Sequence, residues 1–153
     1  MGKYDLVETV LKDLGAEFYF DAVAIRPGKP AVFAVCHGVP VFGLPGNPVS
    51  TMVTFELFVT PAIDLLSGAE ARALPLLEAH LGEALHEKPG LAYFLPARVE
   101  WHGTTPQVRA LQWQGSGDIA TLAKANCFLV VRADQEKIEA GERVSVLMRK
   151  DVI

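Results

Sequence analysis

Two short segments of the sequence combine stiff backbone with side chains that could bind an anion. The first is Arg26-Pro27-Gly28-Lys29-Pro30, in which two cations stand three residues apart in a proline-stiffened turn. Paired cations on a rigid turn suit phosphate or another tetrahedral oxyanion, because little conformational entropy remains to be lost on binding. Taken singly, Arg26 and Lys29 are better described as solvated surface charges.

The second segment is GLPGNPVS, residues 43–50, which leads from an apolar strand-like run into an apolar helical stretch. Such a loop places the unpaired N–H groups of the first helical turn, and the positive end of the helix dipole, next to the loop. The glycines Gly43 and Gly46 are expected to permit close backbone approach or a positive φ. Pro45 and Pro48 fix φ and stiffen the loop.

Two polar side chains of this loop, Asn47 and Ser50, are expected to cap the helix or to hydrogen-bond to a bound oxyanion. A rigid turn with an ordinary N-cap explains the loop equally well. The cationic turn favours the anion site, because both segments are expected to leave the same edge of one sheet. We therefore predict a shared pocket in which Arg26, Lys29 and Ser50 contact one tetrahedral oxyanion.

Composition limits the classes of protein to consider. The chain has 153 residues, half of them hydrophobic, and a net charge of −4, which gives no general reason to expect nucleic acid or an anionic membrane as a partner. The N-terminus lacks the apolar core of a signal peptide, and no uninterrupted apolar run reaches the ~18 residues of a membrane span. We expect a soluble cytoplasmic protein. Cys36 and Cys127 have no Cys or His at metal-ligand spacing, so buried free thiols are favoured over a disulfide or ligand pair.

The first half of the chain is predicted to mix helices and strands. Helical spacing of apolar residues predicts a helix over 5–14 that ends at Gly15, and a second, nearly all-apolar helix over 49–66. This second helix is expected to be covered by a partner subunit or by the neighbouring domain. Strands are predicted at 18–25, 31–36 and 39–42, with Pro40 favouring an edge position or a strand start for the last.

The second half is predicted to be all β. Short segments rich in β-formers, separated by glycine-containing turns, suggest a small barrel or sandwich. A polar linker at residues 67–73 separates the halves, and we predict domains at 1–70 and 74–153. The predicted strands are 74–85, 91–101, 107–113, 127–132 and 143–149.

A resemblance to a known family rests on several quoted motifs in one order. GKYD, IRPGKP and GLPGNPVS, followed by the apolar helix, QGSGDIATLAKANCFLVV and GERVSV, resemble the C-terminal half of the MoeA family. These are the molybdopterin molybdenumtransferases, whose animal relative is the E-domain of gephyrin. The resemblance implies an α/β fold, as part of a MogA-like molybdopterin-binding domain, followed by a β-barrel domain, in a homodimer. It implies insertion of molybdate into adenylylated molybdopterin with Mg²⁺ and cleavage of the adenylate.

The resemblance also implies roles for individual residues. Asp5 matches an acidic active-site position expected to act in catalysis and to hold Mg²⁺ or position the phosphate end. Arg26 and Lys29 match a basic pair associated with molybdate, and Ser116 matches a polar residue facing the same cleft. The loop of Gly43, Pro45, Gly46, Asn47, Pro48 and Ser50 is expected to shape the pocket.

Two departures from the family pattern stand out. Pro96 lies where many members have an arginine, and Arg98, two residues later, is expected to share its strand face and to substitute as an anion ligand. The earlier part of the molybdopterin-binding domain is missing, so the chain is expected to be a fragment or a separately encoded half. We expect the isolated chain to bind molybdate or tungstate weakly and not to turn over.

Alternative functions remain open. A non-catalytic scaffold or assembly module of the same architecture is the main one, and a generic phosphate-binding α/β protein is a weaker one. Cations and a carboxylate converging on one loop favour the enzyme, because a scaffold does not need them.

Overall fold

The computed structural model describes residues 6–70, 74–149 and 151. Its first part places helix α1 (Val7–Asp13) against a three-stranded antiparallel sheet in the order β1, β3, β4. The strands are β1 (Glu17–Phe20), β3 (Val32–Cys36) and β4 (Val39–Gly43). A two-residue turn joins β3 to β4, and both of its residues, His37 and Gly38, have positive φ, as a tight hairpin requires. Among the described residues, strand β4 pairs only with β3, which confirms the edge position, one of the two alternatives predicted from Pro40.

The predicted strand over 18–25 is wrong as a single element. The chain leaves the small sheet after β1 and forms a separate two-residue strand, β2 (Ile25–Arg26). This strand pairs in parallel with β7 (Ala92–His102) of the second half, with Ile25 opposite Ala92 and Arg26 opposite Tyr93. The cationic turn is therefore attached to the second half of the molecule.

The apolar helix runs without interruption from Pro48 to Leu66 and changes geometry in its middle. It consists of α2 (Pro48–Thr54), a π-helical turn (Phe55–Val59) and α3 (Thr60–Leu66). By length and composition alone, these 19 residues could cross a membrane. Val49 and Val53 of α2 are fully buried against the second half of the chain, which confirms the predicted cover for this part of the helix.

The second half is a closed barrel of five strands, as predicted. The strands are β5 (Leu76–Leu81), β7, β8 (Thr105–Ala110), β9 (Cys127–Val131) and β11 (Arg143–Met148). Their order is β7, β8, β5, β11 and β9, and pairing of β9 with β7 closes the ring. The small strands β6 (Leu85–His86) and β10 (Lys137–Ile138) pair with each other beside it.

Alternate residues of the barrel strands form its core. Tyr93, Leu95, Ala97 and Val99 of β7 are buried in one cluster, as a period of two requires. Cys127 belongs to the same cluster, and burial raises the pKa of its thiol to about 12. Both cysteines are free thiols as predicted, although Cys36 is only half-buried.

One helix was missed by the sequence analysis. Helix α4 (Ile119–Lys124) precedes β9 and begins at Asp118, whose side chain accepts a hydrogen bond from the backbone N–H of Thr121. The missed signal was Asp118 itself, a residue type preferred at N-caps. The side chain of Arg149, only 5% exposed, donates to the carbonyl oxygens of Leu122 and Ala125 and so fixes the end of this helix.

Candidate functional site

A cavity of about 680 Å³ lies where the cationic turn, the loop before α2 and the barrel meet. This volume suits a ligand considerably larger than a single oxyanion. The cavity walls contain residues from both halves of the chain. They are Ile25, Arg26, Pro27, Gly28, Lys29, Pro30, Pro45, Asn47, Ser50, Glu87, Leu91, Tyr93, Leu95, Trp113, Gln114, Gly115 and Ser116.

The cationic turn is anchored in the structure while its charges face the solvent. Pro27 and Gly28 are buried, whereas Arg26 and Lys29 on either side are exposed. The backbone N–H of Val23 donates to the carbonyl oxygen of Lys29 at 2.9 Å and closes the turn. The turn therefore holds its two cations on a fixed backbone.

Gly28 allows this turn to contact α2. Its φ is +115°, a conformation that residues with a side chain rarely adopt. A Cβ at this position would lie 2.7 Å from Cγ2 of Thr54, a fully buried residue of α2. The glycine is thus required both for the shape of the turn and for its contact with the helix.

The two cations have no acidic partner within the described part of the chain. No carboxylate there lies within ion-pair distance of Arg26 or Lys29. The guanidinium of Arg26 lies 5.9 Å from the ring centre of Tyr93, in the range of a cation–π interaction. An anion entering the cavity would therefore meet two positive charges that form no ion pair with a described carboxylate.

The loop before α2 is tied together by its own polar groups. The Thr51 hydroxyl lies within hydrogen-bond distance of two carbonyl oxygens, that of Pro45 and, at 3.0 Å, that of Asn47. Asn47 occupies the N-cap position of the helix, but its side chain makes no capping bond. The expected cap by Asn47 is therefore wrong: its side-chain oxygen accepts no N–H of the helix, and its amide nitrogen points to another loop.

That amide and the first free N–H of the helix both bind Ser116, on the loop before α4. The Asn47 side-chain amide donates to the Ser116 hydroxyl at 2.8 Å, and the Val49 N–H donates to the Ser116 carbonyl at 3.0 Å. Since Pro48 has no N–H, the N–H of Val49 is the first donor of the helix, and a protein carbonyl oxygen accepts it. The expectation that these N–H groups serve an anion is thus wrong for Val49.

Asp118 orders the loop that carries Ser116. Its carboxylate accepts from the backbone N–H groups of Thr121, at 2.9 Å, and Gln114, at 3.1 Å, and from the Thr121 hydroxyl at 2.8 Å. These bonds, with that from the Thr121 N–H first, hold the pKa of Asp118 below its ordinary value. The loop over residues 114–118 is consequently held together by the hydrogen bond from the Gln114 N–H to the Asp118 carboxylate.

Ser50 lines the cavity and is almost completely buried, with 4% of its surface exposed. The hydrogen bonds between described residues include none made by its hydroxyl. Arg26, Lys29, Ser50 and Ser116 therefore line one cavity, as the predicted pocket requires. The predicted reason for their proximity is confirmed, because Val32 at the start of β3 pairs with Gly43 at the end of β4, so the cationic turn and the loop before α2 adjoin the same end of the small sheet. Pairing of β2 with β7 additionally attaches the turn to the barrel.

Three other residues of the predicted pocket loop do not themselves line the cavity. Gly43, Gly46 and Pro48 are not among the lining residues, and neither glycine has a positive φ. A Cβ on Gly43 would lie 3.1 Å from Cβ of Val32, so this glycine serves packing beneath α1. Asp5 lies outside the described residues.

Arg98 is placed on the wrong side of its strand to serve the cavity. Tyr93 and Leu95 line the cavity from one face of β7, and the alternation along a strand puts Arg98 on the opposite face. Its side chain donates to Glu100 at 2.9 Å and reaches the carbonyl oxygen of Lys124 at 3.4 Å. The expected substitution for a family arginine is therefore not supported by its position.

Five lining residues outside the quoted motifs were not predicted from the sequence: Glu87, Leu91, Tyr93, Leu95 and Trp113. None of them belongs to a motif at short range, because they come from three separate segments that only the closed barrel brings together. Within the described residues, no group of three or more His, Cys, Asp or Glu side chains could hold a metal ion.

Two family models match two successive parts of the chain. Residues 1–65 match the family model described as a probable molybdopterin binding domain, and residues 78–148 match the MoeA C-terminal region, domain IV. The chain belongs to the MoeA family. The family membership and the fold class expected from the quoted motifs are thereby confirmed, with a partial MogA-like part followed by the MoeA C-terminal barrel.

Curated relatives cover nearly all of this MoeA-family chain. A molybdopterin molybdenumtransferase of Synechococcus elongatus is 35% identical over 148 residues, and one of Staphylococcus aureus strain Mu50 is 29% identical over 148 residues. The alignments cover 95% and 97% of the chain and 35% of each relative. The chain thus spans about a third of the length of the curated relatives it matches.

Solved structures agree with this assignment. A molybdopterin biosynthesis MoeA protein from Pyrococcus horikoshii superposes with a TM-score of 0.79 at 29% identity, covering 94% of this chain and 34% of that one. A molybdenum cofactor biosynthesis protein from Pyrococcus furiosus superposes with a TM-score of 0.70 at 26% identity, covering 96% and 55%. The fold of this chain, including its barrel, therefore matches that of solved MoeA-type proteins.

Proposed function

We propose that this chain supplies the molybdate-binding, C-terminal part of a molybdopterin molybdenumtransferase, which inserts molybdate into adenylylated molybdopterin. The observation that carries the proposal is that Arg26, Lys29, Ser50 and Ser116 line one cavity. Relatives named molybdopterin molybdenumtransferase support the involvement of this family in molybdenum cofactor biosynthesis.

In this proposal the cationic turn binds the oxyanion mainly through charge. Molybdate is a tetrahedral dianion, and Arg26 and Lys29 bring two positive charges on a turn whose backbone is already fixed. Both side chains are exposed, so mobile ions screen them over a Debye length of about 8 Å at physiological ionic strength. Binding should consequently weaken as salt is added.

The two serines supply directed hydrogen bonds. The Ser116 hydroxyl accepts from Asn47, and since a hydroxyl has one proton and two lone pairs, its own proton remains available for an oxyanion. Ser50 offers a second hydroxyl from the buried first turn of α2. Together they would orient an anion that the cations attract.

The proposed roles of Mg²⁺ and Asp5 rest on the family resemblance alone. We retain Asp5 as the expected catalytic carboxylate and Mg²⁺ ligand, as the resemblance implies. Within the described residues, the only carboxylate lining the cavity is Glu87, and the donor set there does not by itself make a metal site. No step of the proposal therefore passes through the metal.

The remaining assignments follow the same family relationship. We propose domains at 1–70 and 74–153, a location in the cytoplasm and a homodimer, with adenylylated molybdopterin and molybdate as substrates and no nucleic acid or membrane partner. The exposed apolar side chains of α3, Ile63, Leu65 and Leu66, support a subunit contact.

Calorimetric titration with molybdate tests the oxyanion site on the 153-residue chain. We expect weak binding that Lys29→Ala reduces by about tenfold, as for loss of one charge-assisted hydrogen bond. Lys12→Ala is the matched control, because Lys12 is an exposed lysine of α1 that does not line the cavity. Equal binding by Lys29→Ala and the unmodified chain would refute the oxyanion site and favour a scaffold.

A cofactor-synthesis assay tests the proposed reaction. Turnover requires several groups held in register, so we expect the chain to convert adenylylated molybdopterin only when the remaining portion of a MoeA protein is supplied in cis or in trans. Lys29→Ala should lower that turnover. Lys29-dependent turnover by the chain alone would show that fewer groups suffice.

A further inference from the structure

A second cavity adjoins the first at the mouth of the barrel. It has a volume of about 320 Å³ and shares three lining residues with the larger cavity: Glu87, Leu95 and Trp113. Arg26 and Lys29 line only the larger cavity, while Glu83 lines only the smaller one. The combined space therefore has a cationic wall, a junction containing one carboxylate, and a further chamber.

The junction carboxylate is held by backbone contacts. Glu87 follows β6, which pairs with β10, and its own N–H donates to the carbonyl oxygen of Glu136 at 2.9 Å. The next residue, Lys88, accepts a hydrogen bond from the Tyr93 hydroxyl at 3.0 Å. The backbone of Glu87 is thus fixed on both sides.

The side chain of Glu87 has acceptor capacity to spare. It is half-buried, and no cation within the described part of the chain pairs with it. An ionised carboxylate has about four lone-pair sites and no proton to donate. A half-buried carboxylate without a cation is most stable beside N–H donors, which a ligand in the cavity could supply.

Aromatic surface lies next to this carboxylate. Trp113 lines both cavities and packs against both the barrel core and the cluster around α2, so its ring is supported on two sides. Tyr93 lines the larger cavity and is 3% exposed. A flat heterocycle could pack against such a wall while its edge meets the carboxylate.

We propose that Glu87 recognises the donor edge of the substrate's heterocycle, with Trp113 as the apolar wall beside it. This inference rests on the proposed function, which supplies a substrate with a pterin at one end and anionic groups at the other. A 2-amino-4-oxopteridine carries adjacent ring and exocyclic N–H groups, which match the two oxygens of a carboxylate. A 2,4-dioxopteridine carries a carbonyl oxygen in place of the amino group, and that oxygen would face the carboxylate.

Paired probes test this assignment on the 153-residue chain. Pterin and lumazine, the 2-amino-4-oxo and 2,4-dioxo compounds, are titrated separately and followed by ligand fluorescence. We expect the unmodified chain to bind pterin at least about tenfold more tightly than lumazine, the discrimination given by one charge-assisted hydrogen bond. Glu87→Gln should reduce the preference to less than about threefold, because one acceptor oxygen becomes a donor.

Controls separate this inference from the oxyanion site. Glu83→Gln removes the same charge from the smaller chamber alone and should keep the preference for pterin. Molybdate binding by Glu87→Gln should be unchanged or tighter, since a negative charge leaves the cavity, and thermal melting of each variant verifies folding. Intact molybdate binding without any preference for pterin in the unmodified chain, or a preference that survives Glu87→Gln, would overturn the role of Glu87. Failure to bind pterin at millimolar concentration would overturn it too.

Discussion

The side-chain amide of Asn47 donates a hydrogen bond to the hydroxyl of Ser116 at 2.8 Å, which joins two loops 69 residues apart in the sequence. One loop begins the apolar helix of the molybdopterin-binding part, and the other leads to α4 of the barrel. The Val49 N–H reinforces the junction by donating to the carbonyl oxygen of Ser116. The two loops consequently form one wall of the cavity.

A double-mutant cycle measures this junction. Asn47→Ala and Ser116→Ala each remove one partner of the same hydrogen bond, so their effects on the free energy of unfolding should not add. We expect each to cost about 1 kcal/mol and the coupling energy to be about 0.5–1 kcal/mol. Urea unfolding of the four proteins gives these values. Fully additive effects would mean that the bond does not form in solution.

Substitution of Gly28 tests the contact between the cationic turn and α2. Gly28→Ala requires a side chain at φ +115° and places its Cβ against Cγ2 of Thr54, so we expect a loss of about 2–4 kcal/mol of stability. Gly38→Ala is the matched control, because that glycine has φ +80° but open space around it. It should cost about 1–2 kcal/mol from backbone strain alone.

A compensating change separates the clash from the strain. Thr54→Ser removes the Cγ2 atom that the new Cβ would meet, so Gly28→Ala should cost less in that background than in the unmodified chain. Chemical denaturation measures both differences. If Thr54→Ser gave no relief, the turn would not be seated on α2 as described.

The pH dependence of stability should carry a contribution from Asp118. Its folded-state pKa lies below the ordinary value of about 4 because of hydrogen bonds from Thr121 and Gln114. For a lowered pKa, the stabilisation is fully present above the unfolded pKa and is lost as the pH falls through the folded pKa. Thermal melting between about pH 7 and pH 3 should therefore show a shallower acid decline for Asp118→Asn. Parallel declines would contradict this role.

Arg149 should be a stability residue of the barrel. Its nearly buried side chain donates to the carbonyl oxygens of Leu122 and Ala125 and pairs with Asp151 at 2.6 Å. Arg149→Met removes both hydrogen bonds, leaving the Leu122 carbonyl oxygen with only the backbone N–H of Ala125 as a donor, and should cost about 2–4 kcal/mol in urea unfolding. Arg132→Met is the control, because Arg132 makes a similar pair with Asp134 at the surface and should have little effect.

The sequence predicts those parts of the fold that depend on local patterns. The hairpin at His37-Gly38, the apolar helix after Pro48 and the five barrel strands follow from turn residues and periodicity. The pairing of Arg26 with Tyr93 does not, because a two-residue strand leaves no periodic signal and its partner lies 67 residues away. Glu87 and Trp113 were missed for the same reason, since only barrel closure brings them to the cavity.

The family motifs predicted which loops border the cavity, but they did not determine how each side chain and N–H group is oriented. The four residues expected to share a pocket, Arg26, Lys29, Ser50 and Ser116, line one cavity, and their binding of an anion stays a prediction. The expectation for Arg98 failed, because this residue lies on the face of β7 that is opposite to the cavity. The first N–H of α2, that of Val49, was expected to bind a ligand but donates to the carbonyl oxygen of Ser116.

The position of a bound oxyanion tests the central claim most directly. Crystals of the chain soaked in tungstate, which shares the charge and tetrahedral geometry of molybdate, locate the anion through anomalous scattering. The tungsten should lie in the large cavity, within reach of the side chains of Arg26 and Lys29 and of the Ser116 hydroxyl. A single well-occupied tungstate elsewhere on the molecule, with this cavity empty, would contradict the account.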